Sequence, residues 1–321
     1  MWECFSNYER KTDARKMAYR SIQKMNDPNS FEWNEPQTPE QIMDEAIKKY
    51  SLDTLYVLFS GGKDSSCVAH YIATNYPDKF GGVVFTNTGL GAQDTRKFVI
   101  EYCKKMDWKL WFTWSDKRKT FKDVLLERGW AAPQTHRTWM GYLKFHSWYY
   151  FGSDRLKRGE KMAFISGVRK KESRARQYAK KYTKTPVDHY GKVVFIKPFL
   201  FKNGEQLWNY FYEHDLKKSK VYEWLNRSGE CHCGAHAQAW DLQLIKQYDP
   251  LTFETIQYYE KQIELYGTDV AKKYHKWGGH SKLTTEDINN QSSLDTFTDG
   301  DQVIKVSDDY CGESCTMEEG Q

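Results

Sequence analysis

The sequence predicts an α/β protein built around a doubly wound parallel sheet. Apolar segments of strand length alternate with segments of helical periodicity, which is typical of parallel strands joined by crossover helices. A glycine turn joins the first apolar segment to the helix that follows it. Ligands of such sheets bind at the carboxyl ends of the strands, so we expect the functional residues at that edge.

Length and composition limit the class of protein. With 321 residues, the chain can form one large domain and a smaller one. Charged residues make up 28%, aromatic residues 16%, and the mean hydropathy is −0.82, which together indicate a globular protein. Because no segment approaches 18 apolar residues and the first residues lack a signal-peptide pattern, we expect a cytoplasmic protein with no membrane partner. Seven cysteines in that compartment favour metal, cluster or redox chemistry over disulfides.

The elements follow in order along the chain. Residues 1–50 have a polar helical pattern, in which Pro39 marks the first turn of a helix. Apolar runs then predict strands at residues 55–59, 82–86, 108–113, 162–167 and 193–196. Helical periodicity predicts helices at residues 64–75, 93–106, 119–128 and 137–157, the last of them rich in aromatic residues.

The chain beyond the last strand is predicted to be helical. Residues 203–225 fit two helices, and residues 237–277 fit a helix that breaks at Pro250. We therefore divide the chain into a helical extension (1–50), a nucleotide-binding domain (51–215) and a helical C-terminal region (216–321) that ends in an acidic tail.

The residues with the clearest functional pattern are 60–65, Ser-Gly-Gly-Lys-Asp-Ser, between the first strand and its helix. Gly61 and Gly62 permit backbone angles that let amide groups converge on a phosphate, and a helix N-terminus adds partial positive charge. Lys63 adds a full charge, and Asp64 suits the placement of Mg²⁺ between phosphates. A Walker A loop has four residues between its first glycine and its Gly-Lys pair, and this segment does not. It is therefore a different phosphate-binding loop.

This loop resembles the PP-loop, SGGKDS, of the ATP pyrophosphatase superfamily. The resemblance implies an adenine nucleotide alpha hydrolase-like fold and cleavage of ATP between its α- and β-phosphates. It also implies that the loop holds the nucleotide through Ser60, Gly61, Gly62, Lys63, Asp64 and Ser65. Lys63 and Asp64 would then also take part in catalysis.

A second segment narrows the resemblance to the branch of the superfamily that contains phosphoadenosine phosphosulfate (PAPS) reductases. Residues 167–176, GVRKKESRAR, resemble its G-x-R-x-x-E-S-x-x-R motif. Guanidinium groups bind phosphate or sulfate bidentately and stay charged. The resemblance implies that Arg169 and Arg176 are catalytic, and that Gly167 and Glu172 belong to the nucleotide site.

Two weaker matches add to this site. Residues 86–89, Thr-Asn-Thr-Gly, resemble the adenosine-side D-T-G of the branch and place Asn87, Thr88 and Gly89 in the site, with Asn87 where Asp is common. Residues 137–144 resemble a C-T-x-x-L-K segment, with Trp139 in place of its cysteine. Lys144 is retained there and either reaches an anion or faces solvent. Trp208, in a further family-like stretch, is interpreted as a packing residue.

Two cysteine pairs predict a metal centre. Cys231 and Cys233, together with Cys311 and Cys315, supply four thiolates, the usual complement of a [4Fe–4S] cluster or of structural Zn²⁺. His236 is a possible substitute ligand, and ordinary reduced cysteines remain the alternative. Cys67 and Cys103 lie in apolar segments and are interpreted as core residues.

The resemblance leaves three functions open. We favour an ATP pyrophosphatase that adenylylates an acceptor for sulfur insertion, similar to tRNA-thiolating enzymes and to the pyrophosphatase of DNA phosphorothioation. Its partners would be ATP, a sulfur donor such as a cysteine desulfurase, and tRNA or DNA. The basic segment 169–184, with eight Lys or Arg and one acid, suits such anions. The alternatives are a PAPS or adenylylsulfate reductase with a C-terminal cysteine, and a non-catalytic nucleotide-binding subunit.

Overall fold

A computed structural model describes residues 37–114, 119–133, 135–170 and 185–279 of the chain. Its centre is a six-stranded sheet with the order β3-β2-β1-β4-β6-β5. The strands are β1 (Thr54–Leu58), β2 (Phe80–Asn87), β3 (Leu110–Trp114), β4 (Met162–Ile165), β5 (Val187–Tyr190) and β6 (Val193–Ile196). All neighbouring strands are parallel except β5 and β6. The predicted α/β class with a doubly wound, mainly parallel sheet is confirmed.

Helices cover both faces of this sheet and form the C-terminal region. They are α1 (Pro39–Tyr50), α2 (Lys63–Asn75), α3 (Gln93–Lys105), α4 (Phe121–Arg128), α5 (His136–Met140), α6 (His146–Lys157), α7 (Gly204–Glu213), α8 (Val221–Leu225), α9 (Asp241–Tyr248), α10 (Pro250–Tyr266) and α11 (Asp269–Lys273). A 3₁₀ turn, Pro77–Lys79, precedes β2. Within the residues described, no helix combines the length and apolarity that a membrane crossing requires.

The start of α1 follows the sequence expectation at Pro39. Thr38 caps the helix, because its hydroxyl accepts a hydrogen bond from the Gln41 amide while the Gln41 side chain accepts one from the Thr38 amide. Ile42, Met43 and Ala46 then face inward and join the core on one side of the sheet.

Side chains alternate across the central strands and build two cores. On β1, Leu55 and Val57 face the core beneath α1, α2 and α3, whereas Tyr56 and Leu58 face the core beneath α6. A third core joins α4 to α9, α10 and α11, and it contains the buried Trp130 and Trp139. The tryptophans at and near β3 differ in burial: Trp108 is buried and Trp111 packs against the second core, but Trp114 is 58% exposed.

One predicted helix has a different form in the structure, and one strand was not predicted. Helix 137–157 is three consecutive segments, α5, one π-helical turn (Gly141–Phe145) and α6. A π turn adds one residue per turn, so it shifts which side chains face inward, and Lys144 lies on the buried side. The edge strand β5 was not predicted from the sequence. It is short and carries Asp188 and His189, so it lacks the apolar run of an inner strand.

Candidate active site

The candidate site lies where the order of the sheet reverses. From β1 the chain winds outward through β2 to β3, and it then returns to the other side of β1 to form β4. Residues 60–65 follow the carboxyl end of β1, and residues 166–169 follow the carboxyl end of β4. The crevice between two such neighbouring strand ends is where open α/β sheets bind ligands.

The PP-loop has a left-handed residue at its centre. Gly61 has φ +78°, and a Cβ atom there would lie 3.1 Å from Cγ2 of Val99. Its carbonyl accepts a hydrogen bond of 3.1 Å from the amide of Ser219. The Gly61 conformation and this packing together require glycine at the position.

Two serine hydroxyls hold the ends of the PP-loop together. The Oγ atoms of Ser60 and Ser65 lie 3.1 Å apart, and the Ser65 hydroxyl donates to the Gly62 carbonyl at 2.9 Å. Gly62 is the N-cap of α2 and contributes no capping side chain. The amide groups of the first turn and the positive end of the helix dipole therefore face the loop, an arrangement that suits a phosphate.

Three charged side chains meet beneath this loop. Nε of Arg169 donates to Oδ2 of Asp64 at 2.6 Å, and Nζ of Lys63 lies 3.6 Å from Oδ1 of the same carboxylate. Each of the three residues is at most 5% exposed. These two cations and one carboxylate of the described residues sum to a charge of +1 in a buried position, which favours an anion.

Gly167 brings the β4 end close to the PP-loop. A Cβ atom at this position would lie 3.1 Å from both the backbone carbon and the carbonyl oxygen of Asp64. Glycine here therefore permits the approach that allows Arg169 to reach Asp64. The structure brings Gly167, Arg169 and the PP-loop together as the sequence predicted. Glu172 and Arg176 lie outside the described residues.

The contact between Trp208 and Lys63 was not predicted from the sequence. Nζ of Lys63 lies 4.3 Å from the centre of the Trp208 ring, and Nζ of Lys218 lies 4.7 Å from it. Trp208 also packs against the first core, as interpreted from the sequence. Its place after a family-like segment was the only available signal, and that signal does not reveal a contact with Lys63.

The carboxyl end of β2 lies beside the C-terminal region. The amide of Gly89 donates to Oδ1 of Asn87 at 3.0 Å, and the Thr88 hydroxyl donates to the Glu230 carbonyl at 3.1 Å. Lys144 is 1% exposed and donates to Oε2 of Glu230 at 2.5 Å. The solvent-facing interpretation of Lys144 is therefore wrong, whereas its contact with nucleotide stays a prediction. Glu230 was not singled out from the sequence.

These observations agree with the family comparison. A family model described as the phosphoadenosine phosphosulfate reductase domain matches residues 54–234, more than half of the chain. The chain belongs to this family. The branch of the PP-loop superfamily identified from the sequence is thereby confirmed.

Individual relatives of this PAPS reductase family member are distant. An uncharacterized protein from Methanocaldococcus jannaschii is 29% identical over 211 residues, which cover 64% of this chain and 46% of that protein. The match thus spans less than half of that relative's length.

The fold of this chain is similar to that of several solved structures, including those of the following three proteins. PAPS reductase from Candida auris, in a phosphate complex, has 11% identity and a TM-score of 0.42, covering 71% of this chain and 95% of its own. U34-tRNA thiolase NcsA from Methanococcus maripaludis, with its [4Fe–4S] cluster, has 15% identity and a TM-score of 0.37, covering 77% and 90%. FMN adenylyltransferase from Candida glabrata, in complex with FMN and an ATP analogue, has 14% identity and a TM-score of 0.38, covering 66% and 70%.

The cysteine segment of this PAPS reductase domain lies in the third core. Cys233 is buried and Cys231 is half-buried, and Nε2 of His236 lies 3.2 Å from Nδ1 of His136. Burial, and secondarily the charge of Arg227, lowers the pKa of His232 to about 3, so this imidazole is neutral at pH 7. Across residues 37–279, less the undescribed gaps, no three His, Cys, Asp or Glu side chains are placed to hold a metal ion. Cys311 and Cys315 lie outside the described residues, so the four-cysteine centre stays a prediction.

Trp139 occupies the position where the family resemblance of the sequence would place a cysteine. Its ring is buried in the third core, with a centroid 5.2 Å from that of Phe121. The side chain at this position therefore packs the core. The surroundings of this position are apolar, which suits the tryptophan that replaces the expected cysteine.

Proposed function

We propose that this PAPS reductase family member is an ATP pyrophosphatase that adenylylates an acceptor for sulfur insertion. The observation that carries the proposal is the buried group of Lys63, Asp64 and Arg169 beneath the PP-loop. Its net positive charge suits the phosphates of a nucleotide, and the intact Lys63–Asp64 pair suits cleavage of a magnesium-bound triphosphate.

The proposed reaction is a displacement at the α-phosphorus of ATP. A nucleophilic atom of the acceptor forms a bond to this phosphorus and gives up its proton to solvent. The bond from the α-phosphorus to the bridging oxygen breaks, and its electron pair leaves with pyrophosphate. A sulfur nucleophile, or water where no sulfur donor is present, then displaces AMP from the adenylylated acceptor. Lys63 and Arg169 stabilise the negative charge that develops on the leaving group, and Arg176 is proposed to assist them.

The donor set fits Mg²⁺ in part. Asp64 supplies one carboxylate, whose oxygens face Lys63 and Arg169, so the phosphate oxygens of the nucleotide would supply further ligands. When bound, the ion neutralises phosphate charge. This chain's own residues orient the triphosphate through the loop glycines and the N-terminus of α2.

The proposed acceptor is tRNA or DNA, and the proposed sulfur donor is a protein such as a cysteine desulfurase. The basic composition of residues 169–184 supports a polyanionic acceptor. We further propose that Cys231 and Cys233 bind a [4Fe–4S] cluster, or alternatively Zn²⁺, together with Cys311 and Cys315. A bound cluster would carry or position sulfur for the transfer.

A second candidate function is reduction of PAPS or adenylylsulfate to sulfite. The matching family model favours it, because its description is that of a reductase domain. In that case the site would bind the phosphosulfate group, and the Cys311 thiolate would attack its sulfur and displace the adenosine phosphate. The thiols of thioredoxin would then release sulfite from the sulfonated cysteine and be oxidised to a disulfide. Asn87, which stands where the family motif has Asp, and the Lys63–Asp64 pair favour the pyrophosphatase instead.

Product analysis of the full chain distinguishes these functions. With ATP, Mg²⁺ and a nucleic-acid acceptor, we expect AMP and pyrophosphate; with PAPS and thioredoxin, we expect no sulfite. Lys63→Ala should lower pyrophosphate release by about 10²-fold or more, because it removes charge that acts in the transition state. Lys97→Ala is the matched control, since Lys97 is exposed on α3.

Each contrary result has a separate meaning. Sulfite formation that depends on Cys311 would establish the reductase and reject the pyrophosphatase. Nucleotide binding without either product would indicate a non-catalytic subunit. Pyrophosphate release that Lys63→Ala leaves unchanged would show that the PP-loop is not the catalytic site.

A further inference from the structure

The longest described helix, α10, has an exposed face on which similar side chains are spaced symmetrically about Tyr258. α10 packs on the third core through Ile256 and Ile263, with Thr252 also buried. The opposite side of the helix carries exposed residues at positions 251, 254, 258, 261 and 265, flanked on one side by exposed Gln257 and Glu264. Alternating spacings of three and four place them in one stripe about 80° wide on a helix of 3.6 residues per turn. We call this set the α10 stripe.

The α10 stripe is apolar at its ends and centre and charged between them. Leu251, Tyr258 and Leu265 are 53%, 52% and 56% exposed, so large apolar side chains face water at a spacing of two turns. Glu254 and Lys261 lie between them, and neither forms an ion pair with another described residue. An exposed apolar stripe with interspersed charges has the pattern of a helix–helix interface.

We propose that the α10 stripe is the interface between two copies of this chain, with their α10 helices antiparallel. The midpoint of Leu251 and Leu265 is position 258, and that of Glu254 and Lys261 lies half a residue earlier. A two-fold axis at Tyr258 therefore sets Leu251 opposite Leu265 of the second copy. The charged pair is then offset by one residue, about 1.5 Å along a helix, so the same axis sets Glu254 beside Lys261 of the second copy.

Charge selects the antiparallel arrangement over the other possibilities. Parallel helices in register would set Glu254 against Glu254 and Lys261 against Lys261, and like charges at such positions destabilise pairing. The acidic tail of the same chain would be attracted by Lys261 but repelled by Glu254. A second copy is the occupant that satisfies both charges.

Sedimentation equilibrium of the full chain tests the proposal. We expect a dimer at micromolar concentration. Glu254→Lys and Lys261→Glu should each raise the dissociation constant of the dimer by about tenfold or more, because the two-fold axis creates two contacts between like charges. An equimolar mixture of the two variants should restore dimers, since each lysine then meets a glutamate. Glu101→Lys, a charge reversal on an exposed position of α3, is the matched control and should leave the dimer unchanged.

Two results would overturn the proposal. One is a monomeric parent protein at concentrations well above micromolar. The other is a dimer that neither charge reversal weakens, which would place the interface elsewhere. Recovery in the mixture also excludes misfolding as the cause of the monomeric variants, because misfolded chains would not recombine.

Discussion

The ammonium group of Lys63 lies 4.3 Å from the centre of the Trp208 ring and 3.6 Å from a carboxylate oxygen of Asp64. A ring on one side and a carboxylate on the other restrict where this lysine can place its charge. Trp208 lies on α7 and its ring contacts Lys63 of the PP-loop, so we interpret Trp208 as a positioning residue for Lys63.

We expect Trp208→Leu to lower kcat/KM for ATP by about 3- to 30-fold, because cation–π contacts contribute about 0.5–2 kcal/mol. Trp208→Phe should lose less, since a smaller ring remains beneath the ammonium. Tyr212→Leu is the control: Tyr212 stacks on Trp208 but is 69% exposed. Steady-state kinetics of pyrophosphate release checks this. Equal rates in Trp208→Leu and the parent would mean that the contact does not position Lys63.

The buried pair of Asp64 and Arg169 predicts a stability effect in addition to a catalytic one. Asp64→Asn removes the carboxylate charge that Nε of Arg169 contacts in a buried site, so we expect a loss of about 3–5 kcal/mol in the free energy of unfolding. Adding Arg169→Met should recover part of that loss while activity stays absent. Urea denaturation measures both variants. A fully stable Asp64→Asn protein would argue against the buried pair.

A second buried pair, Lys144 and Glu230, joins the π-helical turn to the cysteine segment. Lys144→Met and Glu230→Gln should each be strongly destabilising, because either change removes one partner of a buried ion pair. The double variant should cost less than the sum of the two. A double-mutant cycle by urea denaturation gives the coupling energy, which we expect to exceed about 1 kcal/mol. Additive losses would show that the two charges do not interact.

The predicted four-cysteine centre can be tested by truncation. Cys231 and Cys233 lie in the described part of the chain, whereas Cys311 and Cys315 lie beyond it. If all four bind one centre, truncation after Gln302 should release the metal, which elemental analysis would detect. A truncation after Met317, which keeps both tail cysteines, is the control. Full retention of metal after the first truncation would assign the centre to Cys231 and Cys233 with other partners.

Cys103 predicts a change of stability at alkaline pH. Burial raises the pKa of its thiol from 9.0 to about 12, so above pH 9 the unfolded chain loses a proton that the folded protein keeps. This contribution to stability is complete below pH 9 and is lost as the pH rises toward 12. Between pH 9 and 11 the thiol makes stability fall with pH, so Cys103→Ala should make the slope of stability against pH less negative, by up to about 1.4 kcal/mol per unit. An unchanged slope in urea titrations would contradict the buried thiol.

The sequence by itself determined the parts of this protein that depend on neighbouring residues. The apolar run of β1, the glycine turn of the PP-loop and the helix that follows are one continuous segment, so their pattern fixes both structure and chemistry locally. The βαβ alternation likewise predicted the parallel sheet and the edge at which the site lies.

The tertiary structure decided which side chains meet. Asp64 and Arg169 are 105 residues apart and Lys144 and Glu230 are 86 apart, and periodicity tells which face of an element is buried but not what covers it. For the same reason, the sequence did not predict the π-helical turn that contains Lys144 or the polar edge strand β5. Each is held by contacts with distant elements, because a buried charge or an unpaired strand edge is stabilised by whatever the fold brings beside it.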